Sequence, residues 1–160
     1  MEKKSNQKRK IQKSMNQAVE FNYERVADWW PLCFNNSCLA ADKCIRHFAA
    51  THASADVTKH VCVTPMAKGY GKKCNWFKEK EIITLAYGFT TLFDQVRYKD
   101  GAALRQALID YYHCKRQYYW HYHGERPTSP EQQTDMQEIM KQFGYDEPIT
   151  FDRYEQAYKL

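Results

Sequence analysis

No run of this chain approaches the ~18 continuous apolar residues that a membrane-crossing helix needs. The opening Met-Glu-Lys-Lys-Ser is followed by more polar residues and not by an apolar core, so no secretory leader is read there. GxSxG, HExxH and GxGxxG are absent, and no carboxylate pair or nucleophile–base arrangement stands out. His113 beside Cys114 is no dyad, because adjacent helical residues point about 100° apart. The loop at Gly69, Tyr70, Gly71, Lys72 and Lys73 also fails as a phosphate cradle. Met66 stands where the first P-loop glycine belongs, and Lys73 replaces the Ser/Thr. No internal repeat or splitting linker is found. These absences make a cytoplasmic protein of one domain the expectation and leave an enzyme of unknown reaction as the least supported reading.

What is present is enough to build a core. Apolar residues make up 43% of the 160-residue chain, and aromatics, mostly twelve tyrosines and eight phenylalanines, make up 15%. The formal net charge of +5 lies wholly in residues 1–15, where Lys3, Lys4, Lys8, Arg9, Lys10 and Lys13 face only Glu2. Residues 1–20 are therefore expected to be a solvated basic tail, with nucleic acid as its alternative partner. Residues 21–160 are expected to form a single globular domain, with a cysteine-rich segment at 21–77 and a helical part at 78–160. Between Lys43 and Lys78 there are seven bases and one acid, Asp56, so an acidic partner would meet this segment first.

Periodicity predicts a mainly α fold: a compact helical domain with a small irregular or β cysteine-containing segment near the N-terminus. Ser37 to Ala50 suits a short helix, with Leu39, Ile45 and Phe48 on one face. Lys59 to Pro65 alternates around Val61 and Val63 and suits a short strand. Ile82, Leu85, Ala86, Phe89, Leu92, Phe93 and Val96 recur at three and four, the mark of a helix with one buried face. Lys99, Asp100 and Gly101 are read as a break before a helix from about Ala102 to Tyr122, striped by Leu104, Leu108, Tyr111, Cys114, Tyr118 and Tyr122. Ser129, Pro130 and Gln132 form a capping-box start, Met136, Ile139, Met140 and Phe143 give an apolar face, and Gly144 closes it. A last short helix capped by Thr150 would bury Phe151, Tyr154 and Tyr158.

Six cysteines fall at 33, 38, 44, 62, 74 and 114. Cys33, Cys38 and Cys44 can meet around a turn that opens a helix, with Cys74 supplied from the Gly69–Gly71 loop and Lys72 and Lys73 favouring thiolates. Four soft ligands of that kind suit one tetrahedral zinc ion with a structural role. Reduced core thiols and disulfides are the competing readings. Cys62, between Val61 and Val63, and Cys114, on the helical stripe, are read as buried. His47, His52 and His60 lie near the cysteines but are read as solvated.

The densest group of recognition residues is Arg116, Tyr119, Trp120 and Arg126 around a helix end. They suit a protein partner, where Tyr, Trp and Arg dominate binding energy, or nucleic acid through stacking and phosphate contacts. The function expected is a non-catalytic binding or adaptor module with a structural Zn2+ site. A nucleic-acid-associated protein using the basic tail and the Arg/Tyr/Trp segment is the alternative.

Several segments resemble one family: Cys33, Cys38 and Cys44 with Ile45 and Arg46; Cys74 to Phe77; Tyr118 and Tyr119 with Gly124 to Pro127 and Ser129 to Glu131; and Phe143 to Tyr145 with Pro148 to Asp152 and Tyr154. The chain is similar over residues 21–160 to an uncharacterised domain-of-unknown-function family of small proteins from anaerobic gut bacteria. The resemblance implies a compact single domain and sets Cys33, Cys38, Cys44 and Cys74 apart from Cys62 and Cys114. It implies no activity, ligand or partner.

Overall fold

The computed structural model describes residues 19–72 and 74–160. The basic tail up to residue 18 and Lys73, both invoked above, lie outside the described residues. Within them the chain is mixed α/β, 37% helical and 12% strand, which corrects the mainly α expectation. Four α-helices are described: α1 Ile45–Thr51, α2 Tyr98–Tyr111, α3 Lys115–Tyr122 and α4 Pro130–Gln142. Two strands, β1 Ile82–Tyr87 and β2 Arg153–Tyr158, pair in one sheet. No described helix is long and apolar enough to cross a membrane.

The overturned elements fail for identifiable reasons. Residues 82–87 carry three β-branched side chains in a row, Ile82, Ile83 and Thr84, whose stiff χ1 angles favour a strand over a helix. Leu85, Ala86, Phe89 and Leu92 are buried as the pattern requires. They get there by a strand, a turn at Gly88 with φ +65°, and a short 3-10 turn at Leu92–Gln95. The expected last helix is strand β2. The Asp152 N–H donates to Gly88 O at 3.0 Å, and the Lys159 N–H donates to Glu81 O at 2.9 Å. Those two bonds mark opposite ends of an antiparallel ladder, and such long-range pairing overrides local preference.

The helix expected from Ala102 to Tyr122 is two helices. Asp100 and Gly101 lie inside α2, so they break nothing. The break falls at Tyr112–Cys114, where His113 takes φ 64°. Cys114 is therefore exposed at the N-cap of α3 and not on a core stripe. Further upstream, α1 begins only at Ile45, and Leu39, 84% exposed, does not share its buried face. Residues 59–65 form no strand: Leu32 and Cys62 make one isolated parallel bridge, and Cys62 is exposed.

The described residues divide into two compact units, those up to residue 82 with 157–160, and residues 83–156. In the first, Val26, Trp30, Leu32, Ile45 and Ala49 form a core against which Phe21, Phe48 and Tyr158 pack. In the second, α2 packs against α3 and α4. Its core gathers Phe89, Leu104, Leu108, Tyr118 and Met136, all fully buried. The helix start at Ser129 forms as its sequence specifies. The Gln132 N–H donates to Ser129 Oγ at 3.2 Å, and the Ser129 N–H donates to Gln132 Oε1 at 2.9 Å.

Candidate functional site

The first unit holds its cysteines on short, hydrogen-bonded turns. Leu32 is pinned by two backbone bonds, its N–H to Val61 O at 2.9 Å and the Val63 N–H to its own O at 2.8 Å. The next residue, Cys33, donates its N–H to Arg46 O at 3.2 Å, which sets it beside α1. Asn35 accepts the Ser37 N–H on its side chain at 3.1 Å, the local turn chemistry of Asn, and Cys38 follows directly. Cys44 is the N-cap of α1 and makes an antiparallel bridge with Glu79. Cys74 opens a turn closed by the Phe77 N–H on Cys74 O at 3.0 Å, and its sulfur accepts the Trp76 N–H at 3.4 Å.

These turns bring Cys33, Cys38, Cys44 and Cys74 to the wall of one small cavity, together with Arg46 and His47. The cavity holds about 20 Å³, room for roughly one water. Desolvation by burial raises the pKa of the Cys33 thiol, a backbone hydrogen bond at Asn35 lowers it, and the neighbouring Cys44, Cys38 and Cys74 raise it further. Burial of this kind favours the protonated Cys33 thiol. Among the described residues, no three His, Cys, Asp or Glu side chains stand close enough together, as placed, to hold a metal ion. Cys33, Cys38 and Cys74 are partly exposed and Cys44 is buried, while Cys62 and Cys114 are exposed and do not line the cavity. The expectation of two buried bystander thiols is thus overturned.

Sequence reasoning overlooked the part played by Arg46. Its Nε donates to Trp76 O and its Nη1 to Pro31 O, both at 2.9 Å. Its guanidinium also lies 4.5 Å from the centroid of Trp30 and 5.6 Å from that of Trp76. The basic bias of this segment and the family resemblance both include Arg46, but neither gives it a role. His47, read as solvated, is half-buried at the cavity, its Nδ1 3.1 Å from Cys33 O. His52 is exposed, and His60 is half-buried but does not line the cavity.

In the second unit, three of the four recognition residues come together. The guanidiniums of Arg126 and Arg116 lie over the Trp120 ring at 3.9 and 4.4 Å from its centroid. Arg126 also donates from Nη1 to Gln117 Oε1 at 3.3 Å. Tyr119 stands apart from this group, exposed and stacked on His123 at 5.9 Å. His121 is buried where the aromatic end was read as a surface. It stacks on Tyr112 at 4.5 Å, with Nδ1 3.4 Å from Thr128 Oγ1.

The profile of a family of unknown function, DUF6078, matches residues 11–160. The chain belongs to this family. The DUF6078 match starts inside the basic N-terminal segment, earlier than the resemblance drawn from the motifs alone. No curated protein and no solved structure matches the chain significantly.

Proposed function

We propose that this DUF6078 protein is a non-catalytic binding module whose cysteine cavity takes one zinc ion through Cys33, Cys38, Cys44 and Cys74. The observation that carries the reading is the convergence of those four cysteines, from three loop positions and a helix N-cap, on a cavity of about 20 Å³. A tetrahedral ZnS4 centre has Zn–S bonds of ~2.3 Å, which puts its sulfurs roughly 3.8 Å apart. Reaching that geometry asks the sulfurs to close inward from where they stand. Each is one χ1 rotation from another staggered position, and three of the four sit outside regular elements. Four thiolates around Zn2+ leave a net charge of about −2. The Arg46 guanidinium on the cavity wall and the basic residues of this segment would offset it.

The role assigned to the ion is to fix the turns on which the cysteines sit. The first unit has a modest apolar core, and its longest described α-helix is α1, with 7 residues. Zinc binding to such a segment is folding free energy. The test is elemental analysis of the full chain purified under reducing conditions, with thiol titration before and after chelation. One zinc per chain is expected. Exposed Cys62 and Cys114 should react at once, and the other four only after chelation. Absence of stoichiometric metal, with all six thiols reacting alike, would overturn the proposal.

A further inference from the structure

A second concavity of the first unit is much larger than the cysteine cavity and differs in chemistry. It is an open groove of about 720 Å³, within the range of small-ligand sites. Trp29, Val61, Met66 and Trp76 line it, joined by Pro31 and Leu160. All four of the first group are exposed, Trp29 at 74% and Met66 at 90%. Indole, thioether and isopropyl groups left in water around one concave surface are the signature of a site that awaits an apolar occupant.

The charged side chains that line the groove have a single sign. Lys78 and Arg46 line it, and no carboxylate side chain does. Arg46 is already bonded to the carbonyls of Pro31 and Trp76. The neighbouring Lys159 is paired with Glu81 at 3.9 Å. Lys78 makes no ion pair among the described residues. Desolvation, followed by Arg46 and Lys159, lowers its pKa against the opposing pull of Glu81. The chain's own N-terminal segment has the wrong sign to answer it, with six bases and one acid in residues 1–15. A second copy of the groove would bring the same two cations and no carboxylate side chain to answer them.

We propose that this groove binds an amphipathic carboxylate. Its apolar body lies on Trp29, Val61, Met66 and Trp76, and its anionic head accepts from the Lys78 ammonium. The proposal does not rest on zinc in the cysteine cavity. Decanoate below its micellar range is the probe, titrated into the full chain by calorimetry, with decanol and decyltrimethylammonium as comparisons. Decanoate should bind one to one, at least tenfold more tightly than either, since only it brings both apolar area and a charge-assisted bond to the ammonium. Lys78→Gln should weaken decanoate about tenfold and leave decanol unchanged, and Lys78→Arg should keep most of the affinity. Trp29→Ala should weaken both probes.

The proposal is overturned if decanol binds as tightly as decanoate, if Lys78→Gln leaves decanoate affinity intact, or if no saturable heat appears. It is also overturned if sedimentation shows a dimer that Trp29→Ala dissolves, which would make a second copy the occupant. Tighter decanoate binding after deletion of residues 1–18 would point to that segment instead.

Discussion

Truncating two neighbouring aromatics of α3 should have very different consequences for the second unit. Tyr118 is fully buried and meets Phe89 at 5.8 Å, Tyr122 at 5.7 Å and Tyr112 at 6.5 Å between ring centroids. Removing such a ring forfeits its transfer free energy and leaves a cavity that rigid neighbours cannot fill, so Tyr118→Ala should cost about 3–5 kcal/mol. Trp120, half-buried on the adjacent face, is held chiefly by the two guanidiniums at 3.9 and 4.4 Å. Partly exposed cation–π contacts are worth roughly 0.5–1 kcal/mol each, so Trp120→Ala should cost about 1–2 kcal/mol. The assay is urea denaturation followed by far-ultraviolet circular dichroism, comparing midpoints at matched slopes. An equal or larger loss for Trp120→Ala would mean that Trp120 belongs to the core and that the placing of α3 is wrong.

Other outcomes follow from single contacts. Burial, and then the Arg126 guanidinium, hold the His121 imidazole below its ordinary value of 6.5. The unfolded chain therefore takes up that proton first, so this contribution to stability is complete above about pH 6.5 and lost as pH falls. The urea midpoint should drop between pH 7.5 and 5.5, and His121→Phe should flatten that part of the profile. A midpoint that rises on acidification would contradict the assignment. Ser129→Ala removes one half of the capping box and should cost about 1 kcal/mol, with Ser129→Thr recovering most of it. No loss in the alanine variant would show that the cap contributes nothing to α4.

The elements legible in the sequence are those whose signals are local. The start of α4 is written in Ser129, Pro130 and Gln132, and each acts within one turn of the chain. The sheet is different. Residues 82–87 and 153–158 become strands because they pair with each other across the second unit's length, and no window around either contains its partner. Leu85, Ala86, Phe89 and Leu92 carry a burial pattern that a strand and a turn satisfy as well as a helix does. His113 at positive φ splits a stripe that looked continuous, which also moved Cys114 from core to surface. Spacing and the Gly69–Gly71 loop are the grounds for grouping Cys33, Cys38, Cys44 and Cys74, and all four line one cavity. The groove around Lys78 was not foreseeable, because Trp29, Val61, Met66, Trp76 and Leu160 come from distant parts of the chain.

The central claim is that four particular sulfurs bind one ion, and zinc-edge X-ray absorption of the purified full chain reads that shell directly. Four sulfur scatterers at ~2.3 Å are expected. That shell should be kept when Cys62 and Cys114 are both replaced by serine, and should lose sulfur when Cys44→Ser is introduced. A protein without stoichiometric zinc, or a shell of nitrogen and oxygen that ignores Cys44→Ser, would contradict the account.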